Sequence, residues 1–318
     1  MNAAVLHAFG EAPRFERFPD PVPGDEEAIV RVRAAGLHPI VRSLTGGDHY
    51  AGGGPLPAVP GVDCAGVLAD GTRVYAAGSR PPYGTMAELT VVPAARCVRL
   101  PDEVDDATAA ALCNPGVAAW IALSWRGRLR PGETVLVLGA TGAAGQLTVQ
   151  LARSLGAGRV VVAGRSRVAL ERLVELGADA TIQLDQPDLV EAFAREVGPA
   201  GVDVVVDYVW GAPAEALIAA LPRGSLDRPA RPVRFVQVGT AAGPTITLHA
   251  APLRGSGLEL TGTGIGTTPP EVFVTALPEL LARAARGELR VDAEPVPLAE
   301  VGTAWTREQG GRRLVLVP

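Results

Sequence analysis

The stretch Val135-Leu136-Val137-Leu138-Gly139-Ala140-Thr141-Gly142-Ala143-Ala144-Gly145-Gln146 decides the fold. Thr134–Leu138 reads as a continuous apolar strand, and an apolar helical stretch runs on through Leu155. Between them the glycines recur as G-x-x-G-x-x-G, a variant of the commoner G-x-G-x-x-G spacing. In this position Gly permits a tight turn, lets backbone N–H groups approach a pyrophosphate, and brings helix close to strand. The helix N-terminus adds partial positive charge. A chain with 38 Gly among 318 residues produces such spacings by chance. Strand, turn, helix and the next strand in phase are what make the segment a dinucleotide cradle. The expected phosphate-facing residues are Gly139, Thr141, Gly142, Ala143, Ala144 and Gly145.

Working outward, Arg159 to Ala163 is the second strand, and Arg167 to Leu176 carries apolar residues at helical spacing with Gly177 placed to end it. Thr181-Ile182, Val202 to Val206, Val233 to Val238 and Leu258 to Thr263 read as further strands, with helices near 188–197 and 213–221. Strands alternating with helices predict a doubly wound parallel α/β sheet. The end of the second strand bears on cofactor choice. NAD-binding chains usually place an acid about 20 residues after the fingerprint. Here the strand ends Val162-Ala163-Gly164-Arg165-Ser166-Arg167, and no acid lies between Glu133 and Glu171. Gly164, Arg165, Ser166 and Arg167 are therefore expected to hold a 2′-phosphate, which points to NADP.

Residues 1 to about 115 read differently, as short segments broken by Gly and Pro. Ala28–Arg33 alternates apolar and charged residues at its end, and Cys64–Leu68 and Arg73–Ala76 flank an Asp70-Gly71 turn. The tail reads as a helix over 270–286, then short strands at Arg290-Val291, Glu294 to Leu298 and Arg313 to Val317. Composition bounds the chemistry. Apolar residues are 47% and the net charge is −5 with no basic block, so neither nucleic acid nor an anionic membrane is an expected partner. No apolar stretch is expected to span a membrane, and the N-terminus shows no signal-peptide pattern. Cys64, Cys97 and Cys113 lie at no metal or redox spacing, which fits reduced thiols in a cytoplasm. All 29 basic residues are Arg. Without Lys there is no Schiff-base amine, no phosphate loop of the G-x-x-x-x-G-K-[ST] kind, and no Tyr-x-x-x-Lys pair. Every cationic phosphate contact must then come from Arg, with Arg312 and Arg313 as weaker candidates than Arg165 and Arg167.

Together with the Gly-rich turn, a series of segments in this order resembles the medium-chain dehydrogenase/reductase superfamily. They are Ala34–Ile40, Val59–Gly66, Gly84–Glu88, Gly116–Trp120, Leu176–Asp179, Val202–Asp207 and Val238-Gly239. The closest likeness is to its zinc-free NADPH:quinone oxidoreductase branch, and it covers essentially the whole chain. The resemblance implies a GroES-like β-rich catalytic domain (1–115), a Rossmann NADP-binding domain (116–264) and a return segment completing the first domain (265–318), with the active site in a cleft between domains. It also implies hydride transfer from NADPH to a quinone or other activated, α,β-unsaturated carbonyl, and a homodimer paired through Leu258–Thr263. The zinc branch would carry Cys near Leu37 or His38, Gly-His-Glu where this chain has Gly61-Val62-Asp63, and a third ligand near Asn114. None is present, so no metal is expected.

The resemblance, with the rule that ligands sit at strand carboxyl ends, places Asn114, Ala118, Tyr208, Val209, Val238, Gly239, Thr240, Gly262, Thr263 and Gly264 near the nicotinamide. Tyr50 matches a cleft tyrosine of the family and is a candidate substrate contact. His38 stands where many members have Asn; it either orients a substrate carbonyl or fixes its own loop. Arg42 either binds an anionic group or is solvated. Two other functions fit the same residues: an enoyl-thioester or biosynthetic enoyl reductase, and a non-catalytic NADPH-binding sensor.

Overall fold

The structure, a computed structural model, describes residues 1–318. It divides into two compact units, one formed by Met1–Asn114 with Leu277–Pro318 and the other by Pro115–Ala276. In chain order the first unit begins with β1 (Asn2–Val5), β2 (Arg14–Arg17), β3 (Glu27–Gly36), α1 (Pro39–Gly46), β4 (Asp63–Val67), β5 (Arg73–Ala77), β6 (Leu89–Pro93) and β7 (Cys97–Arg99). Helix α2 (Asp106–Trp120) follows and runs on as a π-helical stretch, Ile121–Arg126, in which Gly127 N–H reaches back to Ala122 O at 2.8 Å. Neither α1 nor α2 was expected. Pro39 sits in the first turn of α1, where its missing N–H costs nothing, and Gly47 ends it at φ +99°. The apolar content of α2 surrounds the helix and shows no one-sided periodicity, and Pro115 lies inside it. Asp106–Arg126 is also long and apolar enough, at 21 residues, to match a membrane span. That corrects the expectation of no such stretch; Ala109–Cys113, Ala119 and Ile121–Leu123 are buried within the protein, as in a core helix.

The second unit follows the alternating pattern. Its elements are β8 (Thr134–Leu138), α3 (Ala143–Ser154), β9 (Arg159–Gly164), α4 (Arg167–Glu175), β10 (Ala180–Gln183), α5 (Leu189–Val197), β11 (Val204–Asp207), α6 (Gly211–Ala220), β12 (Val233–Gln237), α7 (Ala250–Gly255) and β13 (Leu258–Gly262). All six strands are parallel, in the order β10-β9-β8-β11-β12-β13. This is the 3-2-1-4-5-6 order of a Rossmann sheet, and its direction reverses between β8 and β11. Both faces are covered, so the strands are apolar throughout: Val135–Leu138, Val160–Ala163 and Val204–Val206 are at most 1% exposed. One face packs Leu136, Leu138, Val161, Val205 and Phe235 against Phe193, Leu217 and Ile218.

The chain closes with α8 (Pro270–Ala285), β14 (Ala293–Pro297), α9 (Val301–Thr306) and β15 (Arg313–Val317). The expected return segment 265–318 therefore starts later, because residues 265–276 belong to the second unit and α8 carries the chain across the boundary. The expected strand at Arg290-Val291 is absent. In the first unit a seven-stranded sheet runs β14-β15-β3-β4-β5-β7, with β6 paired to β3, and β1 and β2 form a separate ribbon. Tail strand β15 pairs antiparallel with β3 through Val315↔Gly36 and Leu316↔Ala35. The core of this unit joins Val30, Val32, Leu37, Val74 and Met86 to Leu314 and Leu316.

Candidate functional site

At the carboxyl end of β8 each glycine of the turn has a distinct job. Gly139 has φ +83°, and a Cβ there would lie 2.5 Å from Val209 Cγ1. Its N–H and that of Ala140 both donate to Ala163 O, at 2.9 and 3.0 Å, tying the turn to β9. Gly142 precedes α3 with no side chain to cap the helix, and the space where its Cβ would be is open for 4 Å. The first N–H groups of a helix have no intrahelical acceptors, so this end offers donors to an anion. Gly145 lies against the turn itself: a Cβ would meet the backbone of Ala140 at 2.4–2.6 Å. Thr141 and Ala144 are half-buried and Ala143 is buried. Thr141 Cγ2 would sit 2.5 Å from a Cβ on Gly164, which brings the end of β9 under the same turn.

The three residues after Gly164 divide their roles. Arg165 is exposed and makes no salt bridge. Ser166 caps α4, its Oγ accepting from Ala169 N–H at 3.3 Å. Arg167 donates from Nε to Glu171 Oε1 at 3.1 Å, both side chains exposed. Glu171, one turn into the helix, thus shares the charge of Arg167 and leaves Arg165 as the uncompensated cation at the end of β9.

The turn after β11 lies against the glycine turn, the turn after β12 against that of β11, and the end of β13 bonds to the end of β12. Tyr208 N–H donates to Leu138 O at 2.9 Å, and the Tyr208 hydroxyl bonds Thr148 Oγ1 of α3 at 2.7 Å. Burial pushes the Tyr208 phenol well up, with the Thr148 bond acting in the other direction. A Cβ on Gly239 would lie 2.5 Å from Tyr208 O, so Val238-Gly239-Thr240 rests on the Tyr208-Val209 turn. Thr263 N–H donates to Gln237 O at 3.0 Å, and Gly264 N–H to Thr267 Oγ1 at 3.0 Å. Gly139–Gly145, Gly164, Tyr208-Val209 and Gly239 are thereby gathered around the point where the strand order reverses. Asn114 and Ala118 sit one turn apart on α2, both half-buried.

In the first unit His38 is 1% exposed. Its Nε2 lies 3.0 Å from Asp63 Oδ1, and the Tyr75 hydroxyl donates to Asp63 Oδ2 at 2.7 Å. A Cβ on Gly36 would lie 2.2 Å from His38 Nε2, so only glycine leaves room for the ring. Leu37 is pinned as well: its N–H donates to Leu314 O, and its O accepts from Gln309 Nε2 at 2.8 Å and Arg313 Nη1 at 3.2 Å. The ring is enclosed and its Nε2 bond to Asp63 fixes the entry to α1, the second of the two roles read for it, while Nδ1 is buried with no partner. Arg313 is no phosphate ligand, being 5% exposed and tied to Leu37, with burial pulling its guanidinium down to about 10. Arg312 is drawn to Glu294. Arg42 is half-buried and donates to Ala304 O and Arg307 O. Tyr50 is 73% exposed and stacks on His49 at 4.3 Å between ring centroids. The Asp63–Tyr75 bond escaped the sequence reading, although Asp63 stood out as the residue replacing a zinc-branch Glu.

Residues 143–282 match the family model described as zinc-binding dehydrogenase. Quinone oxidoreductase-like protein 2 of Rattus norvegicus is 30% identical over 203 residues, covering 61% of this chain and 57% of that one. The chain thus spans less than two thirds of that relative. "Probable NADPH-dependent quinone reductase tdiC" of Emericella nidulans is 27% identical with 100% of both chains covered. The quinone oxidoreductase of Thermus thermophilus, whose complex with NADPH is also solved, superposes with a TM-score of 0.83 at 28% identity, covering 100% of both chains. The zinc named by the family model finds no matching donor set. No three His, Cys, Asp or Glu side chains gather for a metal. His38 Nε2 and both Asp63 oxygens are spent on one another and on Tyr75. Burial, and then the Asp63 charge, push the neighbouring Cys64 and Cys113 thiols up. In its strand order, its glycine turn and its likeness to relatives aligned over the whole chain, the protein is similar to the medium-chain dehydrogenase/reductase superfamily, in its quinone-oxidoreductase-like branch.

Proposed function

We propose that the protein is an NADPH-dependent reductase that delivers hydride to a quinone or another α,β-unsaturated carbonyl without a metal. The observation that carries this reading is the open glycine turn at α3 together with the uncompensated Arg165 at the end of β9. NADPH, when bound, supplies the hydride. Gly139–Gly145 would receive the pyrophosphate on backbone N–H groups, and Arg165 would hold the 2′-phosphate. Tyr208-Val209 and Val238–Thr240 would border the dinucleotide at the strand ends. On the substrate side, the exposed Tyr50 hydroxyl would donate to the acceptor carbonyl. An activated acceptor spreads the negative charge that follows hydride addition, so the site needs no Lewis acid. The names of the relatives support a quinone as acceptor.

The same reading places the protein in the cytoplasm, where its three free cysteines suit a reducing medium. It also pairs two copies along β13, whose outer edge has no strand partner and exposes Leu260.

Oxidation of NADPH and NADH, followed with a quinone and with an enoyl thioester, tests the function. NADPH should be preferred, and the quinone should turn over. The Arg165→Asp protein should lose roughly 10- to 100-fold in NADPH affinity, the range expected for a charged hydrogen bond. Unchanged affinity would remove the phosphate assignment. Turnover of the thioester alone would make the protein an enoyl reductase, and tight NADPH binding with no turnover would make it a sensor.

A further inference from the structure

Asp207 ends β11 at the reversal of strand order and is fully buried. One carboxylate oxygen, Oδ1, accepts from Val209 N–H at 2.8 Å and from Trp210 N–H at 2.9 Å. The other, Oδ2, has no partner. The main-chain O of the same residue accepts from Val238 N–H at 2.7 Å and Gly239 N–H at 3.1 Å. One residue thereby shapes its own turn and anchors the next.

The turn it shapes is strained. Trp210 has φ +56° and ψ −154°, a region almost confined to glycine, and Gly211 follows at φ +59°. Arg128 is the only other non-glycine residue with positive φ. The strained conformation carries Val209 against Gly139, where there is no room for a Cβ, while Ala242 N–H holds Val209 O from the other side at 2.7 Å. A bulky residue in such backbone persists only where its surroundings over-determine it. Here the Asp207 carboxylate does so from one side, and the Trp210 ring, edge-on to Phe235 at 6.3 Å, from the other.

We propose that Asp207 is a positioning residue for the dinucleotide: its carboxylate holds the Val209–Trp210 turn in place against Gly139 and so sets the affinity of the crevice. The proposal rests on the NADPH reading above. It predicts a graded series. Asp207→Asn keeps an oxygen acceptor for the two N–H groups, Asp207→Ser offers a weaker one, and Asp207→Ala none.

Fluorescence titration of NADPH into the full-length proteins, alongside thermal unfolding, tests it. The Asn protein should bind within about threefold of wild type, the Ala protein roughly tenfold or more weakly, and the Ser protein between them. A residue that only stabilises the fold would lower Tm in the Ala protein and leave the Kd of the folded protein unchanged; that result overturns the proposal. Should the Ala protein not fold, a folded Ser protein with wild-type Kd overturns it equally. Failure of the wild type to bind NADPH would instead strike the functional reading, and the two failures are read from different samples.

Discussion

Asp63 serves two buried donors, so its loss would leave His38 Nε2 and the Tyr75 hydroxyl without acceptors in an apolar core. Asp63→Ala should destabilise the protein by about 2–6 kcal/mol, about 1–3 kcal/mol for each of the two buried groups left without its partner. Tyr75→Phe, which leaves Asp63 one bond, should cost about 1–3 kcal/mol. Urea unfolding of both proteins would check the ranking, and equal losses would refute it. Asp207 gives a pH prediction. Burial raises its carboxyl from 3.8 to about 6, against the opposing pull of the Trp210 and Val209 N–H groups. A raised carboxyl penalises the ionised folded state, so this contribution is full below pH ~4 and fades as pH rises through about 6, by up to about 3 kcal/mol. The stability of wild type relative to Asp207→Asn should therefore fall between those pH values. A difference that stays flat with pH would contradict it. His38 was legible as a residue of interest, but its role was not. Its partner Asp63 is 25 residues away, and Tyr75 reaches Asp63 only through the β4–β5 register, in which Tyr75 faces Ala65.

At the scale of elements, the glycine turn was the most legible feature, because each glycine answers a local steric demand. Gly145 makes the sharpest case, with Ala140 backbone in the space a side chain would need. Gly145→Val must push α3 off the turn. It should abolish NADPH binding, and isothermal titration showing wild-type affinity would show that helix and strand have slack there. Helices hid where periodicity was absent or local. α1 has only eight residues between His38 and Gly47, and α2 is buried on more than one side, with Pro115 in its course. The tripeptide Arg165–Arg167 was read as a trio of phosphate contacts. Local geometry separates it, since a Ser before a helix becomes its cap and an Arg four residues before a Glu pairs with it.

Over the whole molecule, the alternation of strand and helix marked the second unit clearly, and its strand order follows from right-handed crossovers. The first unit was less legible, because its sheet is completed by strands far apart in sequence. Pairing of that kind leaves no local signature. Cutting off Arg313–Pro318 removes the partner of Ala35 and Gly36 together with the buried Leu314, Val315 and Leu316. Limited proteolysis of such a chain should digest residues of the first unit while the fragment near 115–276 resists. Uniform digestion would show that the two units do not unfold separately. The β15–β3 pairing also has a consequence in time. A ribosome adds roughly 5–20 residues per second, so the end of β3 emerges on the order of tens of seconds before the strand that will cover it exists. The contiguous second unit is finished in that interval. A newborn chain therefore carries a complete nucleotide-type domain beside an unsealed sheet edge, and that edge is where a chaperone would be needed.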